Sequence, residues 1–170
     1  MTKIAIFGSA FNPPSLGHKS VIETLQHFDK VLLVPSIYHA WGKKMLAYDK
    51  RCELLDAFIS DLDIANLESC NVEEVLYEPG QPVTTYAVLE KLQRMYPESE
   101  LTFVIGPDNL LNFSKFSRAE DILKKWSVLA CPELVKVRST TIREHLAQGL
   151  NVDHLTTFNV AKLLVEYKLY

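Results

Sequence analysis

Cysteine is scarce in this chain. There are three in 170 residues, at positions 52, 70 and 131. The number is odd and no CxxC or Cys/His ligand spacing occurs, which excludes a zinc knuckle and a disulfide framework. Reduced thiols in a cytoplasmic protein are the expectation. A surplus of positive charge is missing too: 18 Lys and Arg face 21 Asp and Glu, for a net charge of −3. Without a basic field, neither nucleic acid nor an anionic membrane is an expected partner. A polyanionic small molecule would have to be met by a local cluster. No apolar run approaches a membrane span, and "MTKIAIFG" is too short for a signal peptide. Repeats, low-complexity tracts and linkers are absent, so residues 1–170 are expected to form one domain.

What is present is alternation. Short apolar runs at 3–8, 30–36, 101–106 and 127–132 have the length and content of buried strands. A weaker alternation at 65–74 suggests another. Between them lie helical patterns at about 17–28, 49–62, 84–96 (with a Thr cap) and 118–126, and a short helix near Asp108. Two more follow, over "TTIREHLAQG", closed by Gly149, and "NVAKLLVEY". Residues 37–48 lack clean periodicity and are expected to be a loop. Strand–helix alternation predicts an α/β fold, a Rossmann-like, doubly wound parallel sheet with helices on both faces. Ligands in such sheets bind at the strands' carboxyl ends, near the switch point. Gly8 and Gly106 each end an apolar strand and would line that crevice if the two strands are neighbours.

Neither G-x-G-x-x-G nor G-x-x-x-x-G-K-[ST] occurs. "GSAFNPPSLGHK" (8–19) is a different phosphate cradle at a strand-to-helix turn. Gly8 admits a ligand to the backbone, and Pro13 and Pro14 stiffen the loop. Gly17 and His18 open a helix whose first N–H groups and dipole suit phosphate. A histidine there can equally do no more than cap the helix. A second such place is "VRSTTIR" (137–143). Ser139 or Thr140 is a suitable N-cap, and Arg143 is expected in the first turn, where a cation opposes the dipole unless an anion is shared.

Together these stretches resemble the nucleotidyltransferase signatures G-x-F-x-P-x-H-x-G-H and I-S-S-T-x-I-R. "FVIGPDNLLNFSKF" is similar to a segment of the nicotinate mononucleotide adenylyltransferases, and the closing "TTIREHLAQGLNVDHL…VEYKLY" to their last helices. The resemblance implies transfer of AMP from ATP to a nicotinate or nicotinamide mononucleotide, with Mg²⁺ on the phosphates and no covalent enzyme intermediate. It implies that His18 contacts the ATP phosphates, that Gly8, Ser9 and Phe11 lie beneath the nucleotides, and that Ser139, Thr140 and Arg143 hold the β- and γ-phosphates. Gly106 and Asp108 would lie near the adenosine ribose, and Phe116 would stack on the pyridine ring. "YHAWGKKML" is similar to the eukaryotic branch, so Lys43, Lys44 and Trp41 would meet the mononucleotide, as would Arg51, Thr85 and Ser9. Ser15 replaces the first histidine of H-x-G-H and keeps a hydroxyl for phosphate, as a threonine does in phosphopantetheine adenylyltransferases. Ala87 stands where the family has an aspartate. A phosphopantetheine-type transferase and a nucleotide-binding regulator without catalysis are the alternatives. The sequence leaves the oligomeric state open.

Overall fold

A computed structural model of the chain describes residues 1–38 and 44–170. Strands β1 (Thr2–Ser9), β2 (Lys30–Pro35), β3 (Leu67–Ser69), β4 (Ser99–Ile105) and β5 (Ser127–Ala130) form one sheet. Every pairing is parallel and the order is β3-β2-β1-β4-β5. The helices are α1 (Leu16–Glu23), α2 (Tyr48–Leu62), α3 (Val72–Leu76), α4 (Thr85–Met95), α5 (Pro107–Asn112), α6 (Ala119–Lys125), α7 (Ser139–Ala147) and α8 (Phe158–Glu166). This is the doubly wound α/β sheet that the alternation predicts.

Period-two alternation splits the strand side chains between two cores. Ala5, Phe7, Val31, Leu33 and Val104 face a cluster completed by α1, α2, α7 and α8. Ile4, Ile6, Leu32, Val34, Leu101, Phe103 and Ile105 face the other, closed by α3, α4 and α6. Burial on both faces is why the strands read as continuous apolar runs. In α8, Val160, Ala161 and Leu164 are buried, and α8 packs on α2. No helix among the described residues is long and apolar enough to cross a membrane.

Two elements differ from the sequence expectation. The first helix stops at Glu23 rather than near residue 28. The Thr24 hydroxyl donates to the Val21 carbonyl at 2.6 Å, and turns follow. Leu25 and Phe28 are still buried from those turns, so apolar spacing outlasts the helix. The weak alternation at 65–74 yields a strand of only three residues, which pairs with β2 alone. Val72 is buried as part of α3 rather than of a strand. Elsewhere local signals hold: Thr84 caps α4 by accepting the Ala87 N–H at 3.2 Å, and Gly149, with φ +71°, follows the end of α7.

Candidate active site

The chain winds from β1 outward to β3, then returns to lay β4 on the other side of β1. That reversal opens a crevice at the carboxyl ends of β1 and β4. The register Phe7↔Val104 brings Gly8 and Gly106 to its floor. A Cβ added at Gly106 would meet nothing within 4 Å. Gly8 abuts Phe103, and Phe116 stands beyond it with ring centroids 6.3 Å apart.

His18 stands over the end of β1. Ser15 is the N-cap of α1 and His18 its third residue, and the two form a capping box. The Ser15 hydroxyl accepts the His18 N–H at 3.4 Å, while the imidazole Nδ1 accepts the Ser15 N–H at 3.0 Å. An Nδ1 that accepts carries no proton, so the neutral ring holds its proton on Nε2, 3.1 Å from the Ser9 hydroxyl. Burial lowers the His18 pKa to about 4. The Ser15 N–H works the same way, because it opposes a proton on Nδ1. The ring rests on Phe11, with centroids 4.8 Å apart. Phe11 is fully buried with φ +46°, a strained conformation for a bulky side chain.

The loop before α1 is stitched to distant segments through its carbonyls. Arg51 donates to the Ala10 carbonyl at 2.8 Å, Arg143 to Asn12 at 2.7 Å, Ser139 to Pro13 at 2.6 Å and Thr156 to Pro14 at 2.8 Å. The Ser15 hydroxyl itself donates to the Val137 carbonyl at 3.2 Å. These bonds set the N-termini of α1 and α7 side by side. Gly17 is where they meet. A Cβ there would lie 2.2 Å from the Val137 carbonyl oxygen, so only glycine fits.

Several residues therefore have other tasks than the sequence suggests. Ser15 is 2% exposed and occupied by His18 and Val137, which leaves its hydroxyl no reach to a phosphate. Of the first N–H groups of α1, Leu16 donates to Leu155 and His18 to Ser15, so this end is largely closed. Ser139 is not the N-cap of α7, and neither is Thr140. Arg138 holds that position and no side chain caps it, because the Ser139 hydroxyl goes to Pro13. Arg143 is the fifth residue of α7, one or two positions further into the helix than a cap at Ser139 or Thr140 would give, and holds Thr140 Oγ1 at 3.1 Å. Arg51 is 1% exposed and spends its guanidinium on the carbonyls of Ala10, Ser36 and Leu46. It joins three segments of the chain.

Lys44 is exposed, while the expectations for Trp41 and Lys43 lie outside the described residues. Thr85 is half-buried at the start of α4. Asp108 is exposed at the start of α5, and Arg138 bonds it at 2.8 Å and Glu133 at 2.9 Å. Sequence reasoning missed Arg138, Asn12 and Glu73. Arg138 was findable, since it stands where the signature has serine. Asn12 and Glu73 carry no such signal. Burial raises the Glu73 pKa to about 7, against the Ile37 N–H bond and the charge of Arg51, which lower it. Among the described residues no group of three His, Cys, Asp or Glu side chains could hold a metal ion.

Comparison with known proteins bears on this geometry. The family model described as cytidylyltransferase-like matches residues 6–146. A protein of Exiguobacterium sibiricum is 27% identical over 99% of this chain and 98% of its own length, and one of Myxococcus xanthus is 28% identical over 99% and 94%. Both are named as probable nicotinate-nucleotide adenylyltransferases. Among solved structures, a Vibrio parahaemolyticus protein described as a candidate nicotinate-nucleotide adenylyltransferase is 54% identical, with a TM-score of 0.88 over 98% of this chain and 93% of that one. A Plasmodium falciparum nicotinic acid mononucleotide adenylyltransferase complexed with NaAD shares the fold, with a TM-score of 0.80 over 100% and 98% at 14% identity.

Proposed function

The chain belongs to the cytidylyltransferase-like family, and from that premise we propose that it transfers AMP from ATP to nicotinate mononucleotide, releasing pyrophosphate in NAD synthesis. The full-length likeness to proteins named for that reaction supports the reading. The observation that carries it is His18: a neutral imidazole with its Nε2 proton at the mouth of the β1–β4 crevice, beside the uncapped start of α7.

The mononucleotide's 5′-phosphate oxygen attacks the α-phosphorus of ATP. One P–O bond forms while the bond to the β-phosphate's bridging oxygen breaks, and pyrophosphate leaves. The enzyme supplies position and charge neutralisation. His18 Nε2–H donates to an α-phosphate oxygen as charge builds there. The open N–H groups of α7, that of Ser139 among them, with Thr140 and Arg143 beside them, receive the β- and γ-phosphates. Two of the five guanidinium N–H donors of Arg143 are already engaged, which aims the remainder. Gly106 and Asp108 border the ribose, Phe116 the pyridine ring, and Lys44 (with Lys43) the mononucleotide phosphate. Mg²⁺ arriving with ATP would supply charge neutralisation and so lower the repulsion met by the attacking oxygen. Three free thiols and ATP chemistry fit a cytoplasmic enzyme.

The test is a product assay with ATP, Mg²⁺ and, in separate tubes, nicotinate mononucleotide, nicotinamide mononucleotide and phosphopantetheine. Pyrophosphate and a dinucleotide of the expected mass should form fastest with nicotinate mononucleotide. ATP binding without turnover in every tube would leave a nucleotide-binding regulator.

A further inference from the structure

Helix α8 ends in a turn that sends the chain back toward the active site. Lys168 adopts φ +49°. Its N–H donates to Val165 at 3.2 Å, and the Leu169 N–H donates to Leu164 at 3.1 Å. This paired bonding reverses the chain and packs Leu169 and Tyr170 against the core shared by α1, α2 and α7. The Tyr170 hydroxyl then donates to Asn12 Oδ1. The same oxygen accepts the Leu46 N–H at 3.2 Å, and the Asn12 carbonyl accepts Arg143. Asn12 is 4% exposed. One buried residue thus ties Leu46 and Tyr170 to the loop before α1 through its side chain, and α7 through its main-chain carbonyl.

We propose that Tyr170 is a positioning residue for the adenylyl transfer. Its hydroxyl locks the Asn12 side chain, and through Asn12 it fixes the spacing between the phosphate-binding residues of α7 and the segment Lys44–Leu46. The inference rests on the adenylyltransferase reading. A carbonyl oxygen with two donors in different segments is held in one orientation, whereas with one it can turn about its side-chain torsions. Burial raises the Tyr170 pKa, although Arg51 and Arg143 oppose this, and the hydroxyl stays a donor throughout the neutral range. The ring is half-buried, so a phenylalanine keeps the packing and loses only the bond.

The experiment compares the full chain with Tyr170→Phe. With the spacing loosened, kcat/KM for nicotinate mononucleotide should fall about threefold to tenfold, the worth of one hydrogen bond expressed in the transition state. Melting should stay close to the parent's. Hydrogen exchange at the Leu46 amide, which needs no turnover, should quicken. A purely structural tyrosine would lower the melting temperature and leave kcat/KM per folded molecule untouched, which would overturn the proposal. So would unchanged exchange at Leu46. A parent that releases no pyrophosphate would instead overturn the reaction reading, leaving the exchange result to decide the tie by itself.

Discussion

The N-termini of α1 and α7 lie side by side, and they are finished in opposite ways. At α1, Ser15 and His18 close a capping box and Leu155 takes another N–H. At α7, no side chain caps the helix, and the available hydroxyl of Ser139 is turned onto Pro13. Local chemistry alone would favour a Ser cap at both. The difference teaches that one terminus is built to hold a histidine still, while the other keeps its first N–H groups free of a side-chain cap, as the proposed phosphate site requires. At the family position occupied here by Ser15, the hydroxyl bonds His18 and Val137 without needing a charge.

Removing the histidine should have the largest effect. His18→Ala deletes both the Nε2–H donor and half of the capping box. It should lower kcat/KM by about 10²- to 10³-fold in a pyrophosphate-release assay. A variant that retains turnover and loses only ATP affinity would assign catalysis elsewhere. Next is the contact between the two termini. Gly17→Ala puts a methyl against the Val137 carbonyl. Helix propensity favours alanine by nearly 1 kcal/mol, yet the clash should win and urea unfolding should show a loss of about 1–3 kcal/mol. A stabilised variant would mean the termini are not in contact. Ser15→Ala is milder. Loss of the cap should cost about 1 kcal/mol by thermal melting, with the KM for ATP little changed. A KM rise as large as that of Arg143→Ala would put the Ser15 hydroxyl on the phosphate after all.

The smallest effect is on the pH dependence of stability, because two groups oppose each other. The folded-state pKa of His18 lies below its ordinary value of 6.5. The unfolded chain binds the proton first, so the contribution of His18 is present above pH 6.5 and lost as pH falls toward 4. Glu73 runs the other way. Its folded pKa, about 7, lies above the ordinary 4.5, so its contribution is present below 4.5 and lost as pH rises through 7. Urea midpoints between pH 5 and 7.5 should therefore change little in the parent. They should rise with pH in Glu73→Gln and fall with pH in His18→Gln.

Much of the architecture was legible in the chain. The apolar runs at β1, β2 and β4 gave the strands because both faces of each are buried, and the short helix expected near Asp108 is α5. The reach of α1 was not legible, because Leu25 and Phe28 keep helical spacing while they pack from turns. In the site, the two motifs were legible as a pair. The role of each hydroxyl and guanidinium within them was not, since a hydroxyl at position 15 or 139 suits a cap, a phosphate or a carbonyl equally well. Arg51 is the sharpest case. The resemblance implied a ligand contact for it, and its three carbonyl partners come from segments no local pattern connects.

The sequence by itself determined the alternation of strands and helices, the placing of Gly8 and Gly106 at the ends of neighbouring strands, and the two helix starts beside them. Periodicity and turn chemistry are local, so they survive in a one-dimensional reading. Only the tertiary structure decided which proton His18 holds, which helix end stays open, and that Asn12 gathers bonds from Leu46, Arg143 and Tyr170. Each depends on a donor and an acceptor far apart in the chain. A buried polar group must find such a partner or cost the fold stability, and the sequence does not say which one it finds.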